Sequence, residues 1–265
     1  MRLVVEMTDQ DIKNWKGLYA WSKGKKGAGY FVDVRKQIDI RYERYKNRGK
    51  IFDNVEEFRK VLWRALVMGI GSSQQNMKAG KPAPKFIGAC SGMEVEAFNG
   101  MKQSDFYKIE GAKSIRLRKT IYKNLIEAAA EIIDEGVEKF MEELENLVSD
   151  NDPRTTLFNE RRSANFLRKC FKGVGFKQSR NMLVIMGLAK YTIPLDSRVQ
   201  GALLKMGLQM EVGSRALQDE GVYLAFENMI NSLCRELGIL PYEFDAFCYY
   251  GEEGVDKYVE THELA

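Results

Sequence analysis

One amine and one carboxylate carry the chemistry that this sequence can be read for. In "FKGVGFKQSRN" (171–181) two glycines, Gly173 and Gly175, precede Lys177, which falls in the first turn of an expected helix. Nineteen residues further on, in "YTIPLDSRVQGALLKMG" (191–207), Asp196 stands just after Pro194 and just before a second expected helix. A lysine and an aspartate brought together from two helix amino termini have the residue types for Schiff-base chemistry. The amine attacks an electrophilic carbon, while the carboxylate balances developing positive charge and moves protons. Only the neutral amine attacks, and an ordinary lysine is neutral in about one molecule in 2,500 at pH 7. Such a site therefore favours the neutral form through a helix amino terminus and neighbouring cations. Asp196 has a plainer use as well, as the cap of the helix through Leu203 and Leu204.

The remaining composition removes several rival chemistries. The only histidine, His262, lies in a polar tail, which excludes dyads and triads built on an imidazole. Cys90, Cys170, Cys234 and Cys248 are far apart with no CxxC spacing, so they read as reduced thiols of a cytoplasmic protein and predict no metal site. No cofactor is implied. No apolar run is long enough to span a membrane, and the amino terminus lacks the pattern of a signal peptide. The glycines fit neither GxxxxGK[ST] nor GxGxxG after a strand, which makes a mononucleotide or dinucleotide an unpromising ligand. Charge points to another polyanion. The net charge is only +4, yet residues 161–195 contain no acidic residue and eight basic ones.

The elements that must position Lys177 and Asp196 are helical. With 45% hydrophobic residues in 265, the chain can bury the core of one large domain or two compact ones. Apolar residues recur at helical spacing in Val55–Leu66, Val137–Leu147 and Tyr223–Leu237. The stretch 114–136 reads as a helix from a Ser114 cap to a Gly136 stop. Within 161–187, Ala164, Leu167 and Phe171 mark one helix and the run Met182 to Met186 a buried second one, with "KGVG" as the tight turn between them. Amides at such a turn can hold a backbone phosphate without reading sequence; the same glycines also suit a simple corner. Residues 1–52 read as an amino-terminal extension, with "MRLVVEM" a short strand and 22–29 a basic turn. The prolines and glycines of 77–92 read as a loop.

Taken together, "FKGVGFKQSRN…IPLDSRV" resembles the helix-hairpin-helix, Gly/Pro-rich loop and aspartate (HhH-GPD) signature of the base-excision DNA glycosylases. The Lys177 to Asp196 interval matches the bifunctional 8-oxoguanine enzymes, whereas endonuclease-III-type relatives usually have one residue fewer. "VLWRALVMGIGSSQQNM" (61–77) is similar to the segment from which those enzymes push a polar side chain into the duplex, which corresponds to Gln74 here. "LGILPYEFDAFCYYG" (237–251) is similar to the helix that closes the base pocket in compact 8-oxoguanine glycosylases.

The resemblance implies a mainly α, two-lobed HhH-GPD fold over residues 53–265, with hairpin and aspartate facing a basic cleft. It implies a monomeric DNA glycosylase and AP lyase acting on damaged double-stranded DNA, nucleoid-associated in a prokaryote. Lys177 and Asp196 are then catalytic. Gly173, Gly175, Lys172, Arg180 and Arg198 contact the DNA backbone, Gln74 enters the duplex, and Asn181, Phe247 and Tyr249 line the base pocket. Two departures bear on the substrate. The chain has no four-cysteine cluster loop, and Asn181 stands where eukaryotic-type enzymes place a thiol. The expected substrate is an oxidised base, 8-oxoguanine first. Other readings are an oxidised-pyrimidine glycosylase, a monofunctional glycosylase, or a non-catalytic helix-hairpin-helix DNA-binding protein.

Overall fold

The computed structural model describes residues 5–72, 75, 77, 81–149, 152–208, 213 and 215–262. Among them are thirteen α-helices and no strand, so the mainly helical class expected from the apolar periodicity holds. Residues 5–7, the described part of the expected strand, have no regular structure. The chain divides into two compact units, Lys46–Leu188 and the discontinuous pair Met1–Tyr45 with Ala189–Ala265.

In the continuous unit the helices are α3 (Val55–Gly71), α4 (Pro82–Ser91), α5 (Gln103–Phe106), α6 (Arg118–Glu135), α7 (Val137–Glu145), α8 (Pro153–Cys170) and α9 (Phe176–Met186). Helix α3 is its axis, packing against α4, α6, α7 and α9, while α8 packs on α9. The cause is composition. Phe58, Leu62, Trp63, Ala65, Leu66 and Ile70 of α3 are all buried, a stripe broad enough to serve several neighbours at once. Asn54 starts α3 by accepting from the amides of Glu56 and Glu57, and Asp152 starts α8 in the same way through Arg154 and Thr155.

Two local expectations fail here. The stretch read as a loop over 77–92 contains α4, because Pro82 sits in its first turn, where a missing N–H costs nothing and a fixed φ helps. The helix expected from Ser114 begins only at Arg118, since Ser114 belongs to a separate 3₁₀ turn, Ala112–Ser114. Its stop at Gly136, with φ of 80°, is where the sequence puts it.

The discontinuous unit holds α1 (Asp9–Lys23), α2 (Val32–Lys46, by its first fourteen residues), α10 (Ser197–Lys205), α11 (Glu220–Leu237), α12 (Pro241–Tyr250) and α13 (Glu252–His262). Helix α1 packs on α11 and α13, and α10 on α12 and α13. The boundary expected at 52/53 therefore does not separate an appendage from a core. Trp15 lies against Phe244 at 4.9 Å between ring centroids, and Phe31 stacks on Phe247 at 4.5 Å. These are contacts between residues more than 200 positions apart, which composition along the chain does not reveal.

Candidate active site

The hairpin belongs to the continuous unit. Helix α8 ends at Cys170, and the turn is held by Val174 N–H donating to Phe171 C=O at 3.2 Å. Its two apolar residues anchor it: Phe171 stacks on Phe140 at 5.1 Å, and Val174 is 4% exposed. Gly173 has φ of 82°, the left-handed region that glycine reaches at no steric cost. It is also closely packed, since a Cβ there would lie 2.0 Å from Asn124 Nδ2 of α6. Gly175 N–H donates to Gln178 Oε1 at 3.2 Å, so the side chain of the third residue of α9 closes the turn. Lys177 is the second residue of α9 and half-buried, and Asn181, one turn on and on the same face, is half-buried too.

Lys172 stays exposed on the turn, paired with Glu127 at 3.2 Å. Arg180, expected among the DNA contacts, is wholly buried. Its guanidinium lies 5.5 Å from the Phe176 ring centroid and Nη1 donates to Phe176 C=O at 3.4 Å, while Arg168 approaches the same ring at 4.4 Å. Arg180 is therefore a brace under the start of α9, not a backbone contact. A charge count along the sequence cannot tell a solvated arginine from one folded over its own helix.

Asp196 belongs to the discontinuous unit and is delivered by a buried irregular segment, 192–195. Buried backbone without a ladder needs other partners, and a stripe at fourfold spacing on α11 supplies them. Asn231 donates to Tyr191 C=O at 3.0 Å. Glu227 accepts from the Thr192 hydroxyl and from Ile193 N–H, and the Tyr223 hydroxyl donates to Ile193 C=O at 2.8 Å and accepts from Leu195 N–H at 3.0 Å. Tyr223 reads in sequence only as part of an apolar face. The signal for its second task was the pair Glu227 and Asn231, polar residues one and two turns further along the same stripe.

The Asp196 carboxylate is 10% exposed. Oδ1 accepts from the amides of Arg198 and Val199 at 2.9 and 3.1 Å, the cap expected of it, and Oδ2 accepts from Arg198 Nε and Nη2 at 3.2 and 3.0 Å. The Arg198 guanidinium in turn lies 3.7 Å from the Tyr249 ring centroid. Burial alone would lower its pKa, but Asp196 and Tyr249 outweigh that and hold it above the ordinary value. Asp196, Arg198 and Tyr249 thus form one cluster in which arginine spans carboxylate and ring.

Phe247, expected beside Tyr249 in a base pocket, is instead a core residue, 6% exposed and stacked on Phe31. Positions two apart on a helix point about 200° apart, so α12 cannot present both rings to one ligand. Gln74 lies outside the described residues. Its neighbour Gln75 makes a two-way amide pair with the backbone of Arg116, donating to its C=O at 2.6 Å and accepting from its N–H at 2.9 Å. That pairing holds the residue before Leu117, the single non-glycine with positive φ among the described residues (59°) and a residue that is 44% exposed. An apolar side chain kept outward on strained backbone between Arg116 and Arg118 is a functional candidate that periodicity could not flag.

Burial pushes the Cys90 thiol up to about 12, and the Cys234 and Cys248 thiols also lie well above their ordinary value. Among the described residues no group of three or more His, Cys, Asp or Glu could hold a metal ion, and no helix is long and apolar enough to cross a membrane. No protein-family model, curated protein or solved structure matches the chain.

Proposed function

We propose that this chain is a bifunctional DNA glycosylase and AP lyase of the HhH-GPD kind, excising an oxidised base, 8-oxoguanine first, from double-stranded DNA. The observation that carries the reading is the placement of Lys177. It stands half-buried in the first turn of a helix that follows a glycine turn in left-handed conformation. In the proposed reaction the neutral Lys177 amine attacks the sugar C1′, and the damaged base leaves with the electron pair of the glycosidic bond and takes up a proton. Asp196 balances the positive charge that develops on the sugar. Loss of the amine proton and ring opening give the imine, and removal of a C2′ proton then expels the 3′ phosphate. Borohydride trapping on duplexes with a single lesion tests this directly. A covalent, reductant-dependent complex with 8-oxoguanine DNA supports it, and nicking confined to thymine glycol or dihydrouracil would place the chain with the oxidised-pyrimidine enzymes.

A second reading is favoured by one observation: both Asp196 oxygens already serve the α10 cap and Arg198. A non-catalytic DNA-binding protein would use Asp196 for that alone, would bind duplex, and would never trap.

Two further expectations belong to the reading. Taking a base out of the stack costs a few kcal/mol, and an inserted apolar side chain offsets part of it. Leu117→Ala should then slow single-turnover excision by roughly tenfold while leaving nicking of a preformed abasic site unchanged; an equal loss on both substrates would assign Leu117 to folding. Lys172 is exposed and, among the described residues, tied only to a surface glutamate, so Lys172→Ala should lower the log–log salt slope of duplex binding by about one with lesion preference intact. A steeper or unchanged slope removes Lys172 from the DNA face.

A further inference from the structure

We infer that the cleft between one face of α3 and the chain leaving α4 binds a small oxyanion of the phosphate class. The inference concerns the continuous unit alone and does not depend on Lys177. The cavity holds about 220 Å³ and is lined on one side by Arg59, Lys60, Trp63 and Arg64, and on the other by residues 91–95, which include Ser91 and Glu94. Positions 59, 60, 63 and 64 follow i, i+1, i+4 and i+5, so three cations and one indole share a single face of α3.

Charge and hydrogen bonding both leave something to be supplied. Arg59 is balanced, since Nη1 meets Glu96 at 2.7 Å and Glu56 at 3.5 Å. Lys60 and Arg64 are exposed and have no carboxylate partner among the described residues, and between them they outnumber Glu94. Arg59 Nε and Ser91 Oγ are buried with no hydrogen-bond partner, and both belong to residues lining this cavity. Buried polar atoms without partners are uncommon enough that each asks for a reason, and an ion is one of the usual ones. The indole is a wall, because Trp63 Nε1 already donates to Cys90 C=O at 3.3 Å. The volume falls below the 300–1,000 Å³ range of pockets for larger organic ligands, which suits a phosphate group better than a nucleotide. Arginine and lysine with a hydroxyl are the donors such a group requires.

The source of the phosphate, free in solution or on a DNA strand, is separated by experiment. Inorganic phosphate is titrated into the isotope-labelled 265-residue chain at constant ionic strength, following the Trp63 indole N–H and the amides of residues 91–95. Saturable shifts are expected, and Lys60→Ala/Arg64→Ala should weaken them by about tenfold or more, with the rest of the spectrum unchanged as the check on folding. Duplex binding by the same variant identifies the source. An unchanged salt slope means that the site serves free phosphate, and a slope lower by about two means that it holds a DNA phosphate. No saturable shift together with an unchanged slope, or equal shifts with chloride, overturns the inference.

Discussion

Lys177→Gln is expected to abolish both strand nicking and borohydride trapping while leaving binding to lesion-containing duplex within a few-fold of the parent. Glutamine keeps the length and polarity of the side chain but has no amine to become an imine, so the loss should be on the order of a thousandfold or more. The fold should survive. The start of α9 is tied by Gly175 to Gln178 and by Ser179 N–H to Gly175 C=O, bonds in which the Lys177 side chain takes no part. Covalent trapping by the variant would put the nucleophile on another lysine or on the terminal amine. An unaltered nicking rate would sink the assignment of Lys177 altogether. Loss of binding along with catalysis would make Lys177 a DNA contact instead.

Gly173→Ala should be strongly destabilising. The backbone there has φ of 82°, and the new Cβ would fall 2.0 Å from Asn124 Nδ2 and 2.8 Å from its Cγ. Left-handed backbone strain and a steric clash with the Asn124 side chain add to a destabilisation of about 2–4 kcal/mol, read as a lower midpoint in urea, with duplex affinity falling as the turn is displaced. The two causes separate in a double variant. Asn124→Ala opens the space that the methyl needs, so Gly173→Ala in that background should recover the steric share and retain the share due to φ. Full recovery would show that the left-handed conformation is not required. No recovery would show that Asn124 moves aside at little cost.

What could be read from the sequence is what is local. Helices α3, α7 and α11 announce themselves by apolar spacing, and the hairpin by two glycines between apolar anchors. The Asp196 cap follows from an aspartate standing just before an apolar period. What escaped depends on contacts across distance. Phe247 and Tyr249 look equivalent in "FCYY", and only the packing of Phe31 sends one inward. Arg180 looks like its basic neighbours until Phe176 lies beside it. The prolines of 82–84 read as breakers because the same residue that ends one helix can begin another. Leu117 is the instructive miss, since neither its exposure nor its left-handed backbone follows from the residue type.

Chain connectivity also sets an order of events during synthesis. Residues 46–188 are contiguous and can close as one unit once that stretch has left the ribosome, whereas 1–45 share a unit with 189–265. Domains close as units while the nascent chain grows. The first helices therefore emerge early and wait, with Trp15, Leu18 and Phe31 unburied, until α11 and α12 arrive more than 170 residues later. During that interval Trp15 and Phe31 lack Phe244 and Phe247, the rings that they pack against in the folded chain. A helper that shields nascent chains would find apolar side chains to hold there until α12 arrives.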